Sequence, residues 1–289
     1  MFATPVRLAG GQLGFWRRSM EEFKRQADIA IHMKASNRPT EAFPLISFTE
    51  NASLQRCKIM SDHNSFGGFS KAALTFQPGA TRRDNKGQLE NASGKPDAQD
   101  EPAHALFQGS ISTDLPPNQP EIQRSGFAAW RTLDRGFSLF GKLLWDIDPY
   151  DYLALRIKSD GRKYFVNIQT ESIVPTDIHQ HLLPTRTPGQ WETVTIPFSA
   201  FVRTNHGMVV EPQKEMLRMK VRTVGIGLTD RVPGPFELRV ADVYATNNPP
   251  VTDGGSEGSG FELDEPEQTG MMDEIEPRRK KGEPERILI

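Results

Sequence analysis

Hydrophobic residues recur along this chain with two different periods. Near the start they recur every three to four residues, as they would on one face of a helix. This first set continues past the acidic pair Glu21 and Glu22 and consists of Trp16, Met20, Phe23, Ala27 and Ala30. The spacing predicts an amphipathic helix within an N-terminal segment that we place at residues 1–40.

The composition of this segment adds two interpretations to an ordinary amphipathic helix. Its first twenty residues contain three arginines and no acidic residue, among several large apolar side chains. That composition is typical of an organelle transit peptide. It is also typical of a basic helix that lies on a membrane surface with Trp and Phe on one face. The interpretations are compatible, and the sequence alone leaves them open.

From Phe43 onward the apolar spacing changes to two, in short runs separated by Gly, Pro, Asn and Asp. About eight such runs fit two packed antiparallel sheets, so we predict an all-β sandwich over residues 43–247. A polar stretch at residues 79–102 interrupts the pattern and predicts a disordered surface insertion. Residues 248–289 are rich in Gly, Ser and Glu with a basic cluster near the end, and they predict a disordered charged tail.

Two neighbouring runs predict which side chains face the core. The first run ends at Ser159, and the Asp160-Gly161 pair that follows predicts a tight hairpin to the second run. In the second run Tyr164, Val166 and Ile168 fall on the core side, and the residues between them fall on the other. We predict a mixed polar and aromatic sheet face, suited to recognition or to plain solvation, that contains Arg156, Phe165, Asn167 and Gln169, with His179 and His181 following shortly afterwards.

Composition and charge narrow the class of protein. A chain of 289 residues can bury a sizeable core without metals or disulfides. The 35 Lys and Arg nearly balance the 37 Asp and Glu, so nothing in the totals indicates a nucleic-acid partner. The single cysteine, Cys57, cannot form an internal disulfide, which excludes a secreted disulfide scaffold. We find no apolar run of transmembrane or secretory type and predict neither a membrane span nor a signal peptide.

Local signatures of catalysis are absent from the sequence: there is no Gly-x-Ser-x-Gly, P-loop, His-Glu-x-x-His or Gly-x-Gly-x-x-Gly. His179 and His181 would project from one side of a strand and could share a metal ion, with Asp177 or Glu171 as a third ligand. Two histidines on an exposed strand are more often ordinary polar surface. We therefore predict no catalytic residues, no cofactor and no metal, and a protein that works by binding a partner.

Several ordered groups of residues carry a family resemblance. They are Ser61-Asp62 with Phe66-Gly67-Gly68-Phe69-Ser70, Arg124-Ser125-Gly126-Phe127-Ala128, Asp151-Tyr152-Leu153-Ala154-Leu155-Arg156-Ile157 with Asp160-Gly161-Arg162-Lys163-Tyr164, Thr187-Pro188-Gly189-Gln190-Trp191 with Ile196-Pro197-Phe198-Ser199-Ala200-Phe201, and Val224-Gly225-Ile226-Gly227-Leu228 with Gly234-Pro235-Phe236-Glu237-Leu238. In this order and spacing they resemble the complex I intermediate-associated protein family, the thirty-kilodalton assembly factors of mitochondrial NADH:ubiquinone oxidoreductase.

The resemblance implies a jelly-roll sandwich similar to galactose-binding domains and to carbohydrate-binding modules. It implies a mitochondrial protein on the matrix side, peripherally associated with the inner membrane. It also implies a chaperone-like, non-catalytic role in which the protein binds membrane-arm intermediates of complex I together with other assembly factors. The alternative function is a carbohydrate- or small-ligand-binding module, which would need exposed aromatic platforms, and only Phe165 and Trp191 are available for that role.

Overall fold

The computed structural model describes residues 14–32, 38–79, 101–117, 122, 125–172, 174 and 176–249. The predicted helix is present as α1 (Phe15–His32). The central part of the predicted insertion (80–100) and nearly all of the predicted tail (250–289) lie outside the described residues. The disorder expected of both therefore stays a prediction.

Short strands dominate the regular structure that is described after α1, as the period-two pattern predicted. A short helix, α2 (Asp62–Phe66), follows the second strand. The strands are β1 (Phe43–Ser47), β2 (Cys57–Ser61), β3 (Lys71–Gln77), β4 (His104–Ile111), β5 (Ala128–Thr132), β6 (Phe137–Ser138), β7 (Gly141–Lys142), β8 (Tyr152–Ser159), β9 (Tyr164–Thr170), β10 (Asp177–Leu182), β11 (Trp191–Pro197), β12 (Val202–Asn205), β13 (Met208–Val209), β14 (Val221–Leu228) and β15 (Gly234–Thr246).

These strands form two antiparallel sheets and one separate hairpin. The six-stranded sheet has the order β11-β8-β15-β4-β3, with β1 also paired to β15. The seven-stranded sheet has the order β13-β12-β10-β9-β14-β5-β2, and β6 pairs only with β7. The chain passes repeatedly from one sheet to the other, for example from β4 to β5, then to β8 and then to β9. This alternation is that of a jelly roll and confirms the predicted all-β sandwich.

The inner faces of the two sheets meet in a single apolar core. The alternation predicted for β9 is confirmed, because Tyr164, Val166 and Ile168 are fully buried while the residues between them are only half-buried. The core draws comparable side chains from both sheets. Its largest fully buried members include Phe48, Phe107, Trp130, Leu155 and Ile226.

The hairpin predicted at Asp160-Gly161 is wrong. β8 pairs with β11 and β15 in the six-stranded sheet, whereas β9 pairs with β10 and β14 in the seven-stranded sheet. Gly161 does adopt the left-handed backbone that a tight turn requires, with φ +90°. The turn instead carries the chain from one sheet to the other, because turn chemistry sets a local bend and not the strand's hydrogen-bonding partner.

Candidate functional site

The outer face of the seven-stranded sheet contains three of the predicted site residues: Phe165, Asn167 and Gln169. Gln180 on β10 lies opposite Asn167, and its Nε2 donates a hydrogen bond to Asn167 Oδ1 at 2.9 Å. Thr204 Oγ1 on β12 in turn donates to Gln180 Oε1 at 2.8 Å. These bonds form a polar row across three strands, which fixes the amide orientations before any partner arrives.

A cleft of about 230 Å³, which we call the outer cleft, opens beside this row. On the neighbouring strand β14, Gly225 lies opposite Asn167 and Gly227 lies opposite Phe165. A Cβ on Gly225 would come within 2.2 Å of the backbone oxygen of Trp130, so the adjacent strand leaves no room for a side chain. The residues that line the outer cleft include Met60, Arg131, Asn167, Gln169, Ile178 and Thr223.

The outer cleft combines hydrogen-bonding groups with an apolar base. Arg131 Nη1 is buried and makes no hydrogen bond, and the nearest carboxylate, Asp134 Oδ1, is 3.9 Å away. Thr223 Oγ1 donates to Gln169 Oε1 at 3.3 Å. Guanidinium, amide and hydroxyl groups of this kind can bind the polar backbone or side chains of a partner.

The two histidines do not belong to this face, so that prediction is wrong. His179 lies opposite Ile168 and His181 lies opposite Val166, which places both side chains on the inner side of the sheet. His181 packs against Phe201, with ring centroids 5.6 Å apart. Which side a strand residue takes depends on register, and a shift of one residue reverses every side chain. The loop between β9 and β10 sets that register, and its sequence does not reveal it.

The metal site considered as an alternative for His179 and His181 is not assembled. Asp177, proposed as a third ligand, already accepts a hydrogen bond from Asn205 Nδ2 at 2.7 Å and pairs with Arg203 Nη2 at 2.8 Å. These two partners lower the pKa of Asp177. Within the described ranges, no three His, Cys, Asp or Glu side chains are grouped in a way that could hold a metal ion.

Buried His179 makes folding stability depend on pH. Burial lowers the pKa of His179, and the charge of Arg203, opposite it on β12, acts in the same direction. The unfolded chain therefore binds a proton at this residue first, below about pH 6.5, so stability is lost as the pH falls from there through the folded-state pKa.

We expect the melting temperature to decrease between about pH 7 and pH 5 and the decrease to be smaller in a His179→Gln variant. The carboxylates with lowered pKa release their stabilisation at more acidic pH, so this window separates His179 from them. Circular dichroism melts of both proteins at intermediate pH values would measure the difference. Identical pH profiles would contradict the assignment.

Arg156 also lies away from the outer face, which corrects the remaining site prediction. It is an exposed residue of β8 in the six-stranded sheet, opposite Asp242 on β15 and Thr193 on β11. Its side chain therefore points to solvent on the other side of the sandwich. The prediction for Arg156 assumed that β8 and β9 are paired through a hairpin at Asp160-Gly161, and that pairing is absent from the two described strands.

One buried carboxylate joins two of the groups of residues that carry the family resemblance. Asp62 has no exposed surface. Its Oδ1 accepts a hydrogen bond from the backbone N–H of Ser70 at 2.8 Å. Its Oδ2 accepts from Ser70 Oγ at 2.7 Å and from the backbone N–H of Gly126 at 2.8 Å. This role was not predicted from the sequence, although Ser61, which caps α2, and Gly67, which ends it, marked a tight local structure.

Arg162 joins two further groups of the residues that carry the family resemblance. Its guanidinium forms a two-pronged pair with Asp230, with Nη2–Oδ1 at 2.7 Å and Nε–Oδ2 at 3.0 Å. It also donates to the carbonyl oxygens of Val232, Gly234 and Pro235, the latter two from Nη1 at 3.2 and 2.9 Å. The family residues around Asp62 and Arg162 therefore stabilise loops at the ends of strands and do not line the outer cleft.

A second surface, formed by α1 and the β6–β7 hairpin, is apolar. We call it the apolar patch and define it by five exposed side chains: Trp16, Met20, Phe23, Leu139 and Phe140. None of the described helices is long and apolar enough to cross a membrane.

Comparison with solved structures gives a family 11 carbohydrate-binding module from Clostridium thermocellum, solved with a mixed-linked tetrasaccharide. The two chains share 14% sequence identity, and the alignment covers 72% of this chain and 97% of the module with a TM-score of 0.46.

Comparison of sequences gives a more specific result. A protein called "Complex I intermediate-associated protein 30, mitochondrial" from Neurospora crassa is 45% identical over 81% of this chain and 84% of its own length. The mouse protein of the same name is 33% identical over 52% of this chain and 46% of its own length. The family model for complex I intermediate-associated protein 30 matches residues 46–240. This chain therefore belongs to the complex I intermediate-associated protein 30 family.

Proposed function

We propose that this protein is a non-catalytic assembly factor that binds and stabilises membrane-arm intermediates of mitochondrial respiratory complex I. It acts with other assembly factors on the matrix side of the inner membrane, as a peripheral protein. Family membership carries the proposal, since relatives that share up to 45% identity are named as mitochondrial complex I intermediate-associated proteins. The family match at residues 46–240 coincides with the sandwich, which supports assigning the proposed binding function to the sandwich.

The outer face of the seven-stranded sheet supports the binding part of the proposal. It combines the polar row with partly exposed apolar side chains such as Phe165, Ile178 and Val202. Such a mixture is typical of interfaces that form and dissociate, which an assembly factor must do when the next module arrives. An interface of standard size buries about 800 Å² on each partner, an area that one sheet face can supply.

Two observations support a non-catalytic role. Among the described residues that line the outer cleft, Thr223 contributes the only hydroxyl, and it contacts Gln169 rather than a base. Burial raises the pKa of the Cys57 thiol to about 12, so the thiol stays protonated at neutral pH and is a poor nucleophile.

The alternative of a carbohydrate-binding module has less support. Sugar recognition in sandwiches uses exposed aromatic platforms, and on the described strands of the outer face Phe165 is the only aromatic side chain. Tyr164 faces the core. Trp191 lies on β11 of the other sheet and packs against His104, with ring centroids 5.2 Å apart.

A double variant, Phe165→Ala with Gln169→Ala, tests the proposed binding face. Both side chains point away from the core, so we expect the fold to be retained. Loss of an aromatic contact and an amide contact should reduce recovery of membrane-arm subunits about tenfold. The measurement is affinity purification of the tagged protein from gently solubilised mitochondria, with subunits quantified by mass spectrometry.

Arg156→Ala is the matched control, because this side chain is exposed on the opposite sheet. It should recover membrane-arm subunits at the wild-type level. If wild-type protein recovers none of these subunits, the assembly role is wrong. If the double variant and the control behave alike, the binding face lies elsewhere.

A further inference from the structure

We propose that α1 and the β6–β7 hairpin form one composite lipid-binding surface, in which Leu139 and Phe140 insert into the bilayer interface beside the apolar side chains of α1. The inference rests on the peripheral membrane location in the proposed function and deepens it. A membrane-surface helix was expected from the sequence, whereas the hairpin lies more than a hundred residues later in the chain.

Specific contacts join the helix to the hairpin. Ser19, which is buried, accepts a hydrogen bond on Oγ from the backbone N–H of Leu139 at 2.9 Å. Arg18 Nε donates to the carbonyl oxygen of Phe137 at 3.2 Å. The rings of Phe23 and Phe140 stack with centroids 6.4 Å apart and an angle of 22° between their planes. The two elements therefore present their apolar side chains as one surface.

This surface exposes an unusual amount of apolar area. Trp16 is 76% exposed, Leu139 is 65% exposed and Phe140 is 56% exposed. Met20 and Phe23 lie on the same helix stripe as Trp16 and are also exposed. A soluble protein rarely leaves a contiguous cluster of large apolar side chains in water unless the cluster binds something.

The shape and charge of the surface favour a bilayer over a protein partner. Leu139 and Phe140 form the turn between β6 and β7 and are therefore a convex tip, which a protein could cover only with a matching hollow. A bilayer interface accommodates protruding side chains of any shape. α1 and the β6–β7 hairpin together carry five Lys and Arg against three Asp and Glu, which suits an anionic lipid surface. Aromatic rings such as those of Trp16 and Phe140 insert favourably at the level of the headgroups.

The test is flotation of the purified full-length protein with vesicles of phosphatidylcholine and phosphatidylglycerol. Wild-type protein should float with the vesicles, and Leu139→Ser with Phe140→Ser should weaken the partition coefficient about tenfold. Both side chains are exposed, so the fold should survive. Trp16 provides a second readout, because its fluorescence should shift to the blue on binding, and the shift should require more lipid in the hairpin variant.

A matched control is Phe69→Ser with Val232→Ser, which also removes one exposed Phe and one exposed aliphatic side chain. These residues follow β2 and β14 at the end of the sheet away from the hairpin, since Ala128 pairs with both Ser61 and Leu228. The control should float like wild type.

Flotation of the hairpin variant at the wild-type level would overturn the composite surface, and so would an equal loss in the control. Pure lipid contains no complex I subunit, so failure of wild-type protein to float would refute lipid binding alone. The assembly role is tested separately by co-purification.

Discussion

Replacement of Asp62 by alanine is expected to lower the free energy of unfolding by about 3–5 kcal/mol. The carboxylate accepts three hydrogen bonds, from the backbone and hydroxyl of Ser70 and from the backbone of Gly126. Alanine would leave these donors without an acceptor in a buried site, and each such donor costs about 1–3 kcal/mol. The segments that contain Ser70 and Gly126 would no longer be held together through residue 62.

The measurement is urea unfolding monitored by intrinsic fluorescence. Thermal melts support it, and in them we expect the melting temperature to fall by roughly 10 °C. Asp148→Ala is the control, because Asp148 is an exposed carboxylate whose ion pair with Arg218 spans 3.5 Å. Its removal should change stability by less than about 1 kcal/mol. Equal losses in the two variants would show that the buried hydrogen bonds contribute little.

Replacement of Arg162 by alanine is expected to lower the free energy of unfolding by about 3 kcal/mol or more. The two-pronged pair with Asp230 is shielded from solvent, with side-chain exposures of 14% for Arg162 and 9% for Asp230. Alanine would leave the carboxylate of Asp230 uncompensated. It would also remove the donor that ties the carbonyl groups at the start of β15 to the turn after β8.

Two further variants separate charge from geometry in this prediction. Arg162→Lys keeps the positive charge but cannot reproduce the planar fork, so it should recover only part of the stability. Lys163→Ala removes the adjacent exposed cation and should be close to neutral. Full stability in Arg162→Lys would mean that charge alone suffices and that the carbonyl contacts are not needed.

These two clusters explain why residues that identify the family are not residues of the outer cleft. Asp62 and Arg162 stabilise the connections that a jelly roll makes between its sheets, and a chain without them would lose loop geometry first. The binding proposals rest on two surfaces. One is the polar row on the outer face, and the other is the apolar patch on α1 and the hairpin.

Local patterns in the sequence were sufficient for the main features of the fold. The apolar period of two predicted strands, and the alternation in β9 correctly separated Tyr164 and Val166 in the core from Phe165 and Asn167 outside it. The helical spacing from Trp16 to Phe23 predicted α1. These predictions succeeded because alternation and helical spacing reflect burial within one element, which neighbouring residues specify.

Only the tertiary structure decided which elements are neighbours. Arg156 and Phe165 are nine residues apart in a pattern that looks like a hairpin, yet they lie on opposite sides of the sandwich. The register of β10 against β9 places His179 on the inner side of the sheet and Gln180 on the outer side. The pairing of α1 with the hairpin through Ser19 and Leu139, and the convergence on Asp62, join residues far apart in the chain. Such contacts depend on which packing buries the most apolar surface while satisfying every buried polar group, and that is a property of the whole chain.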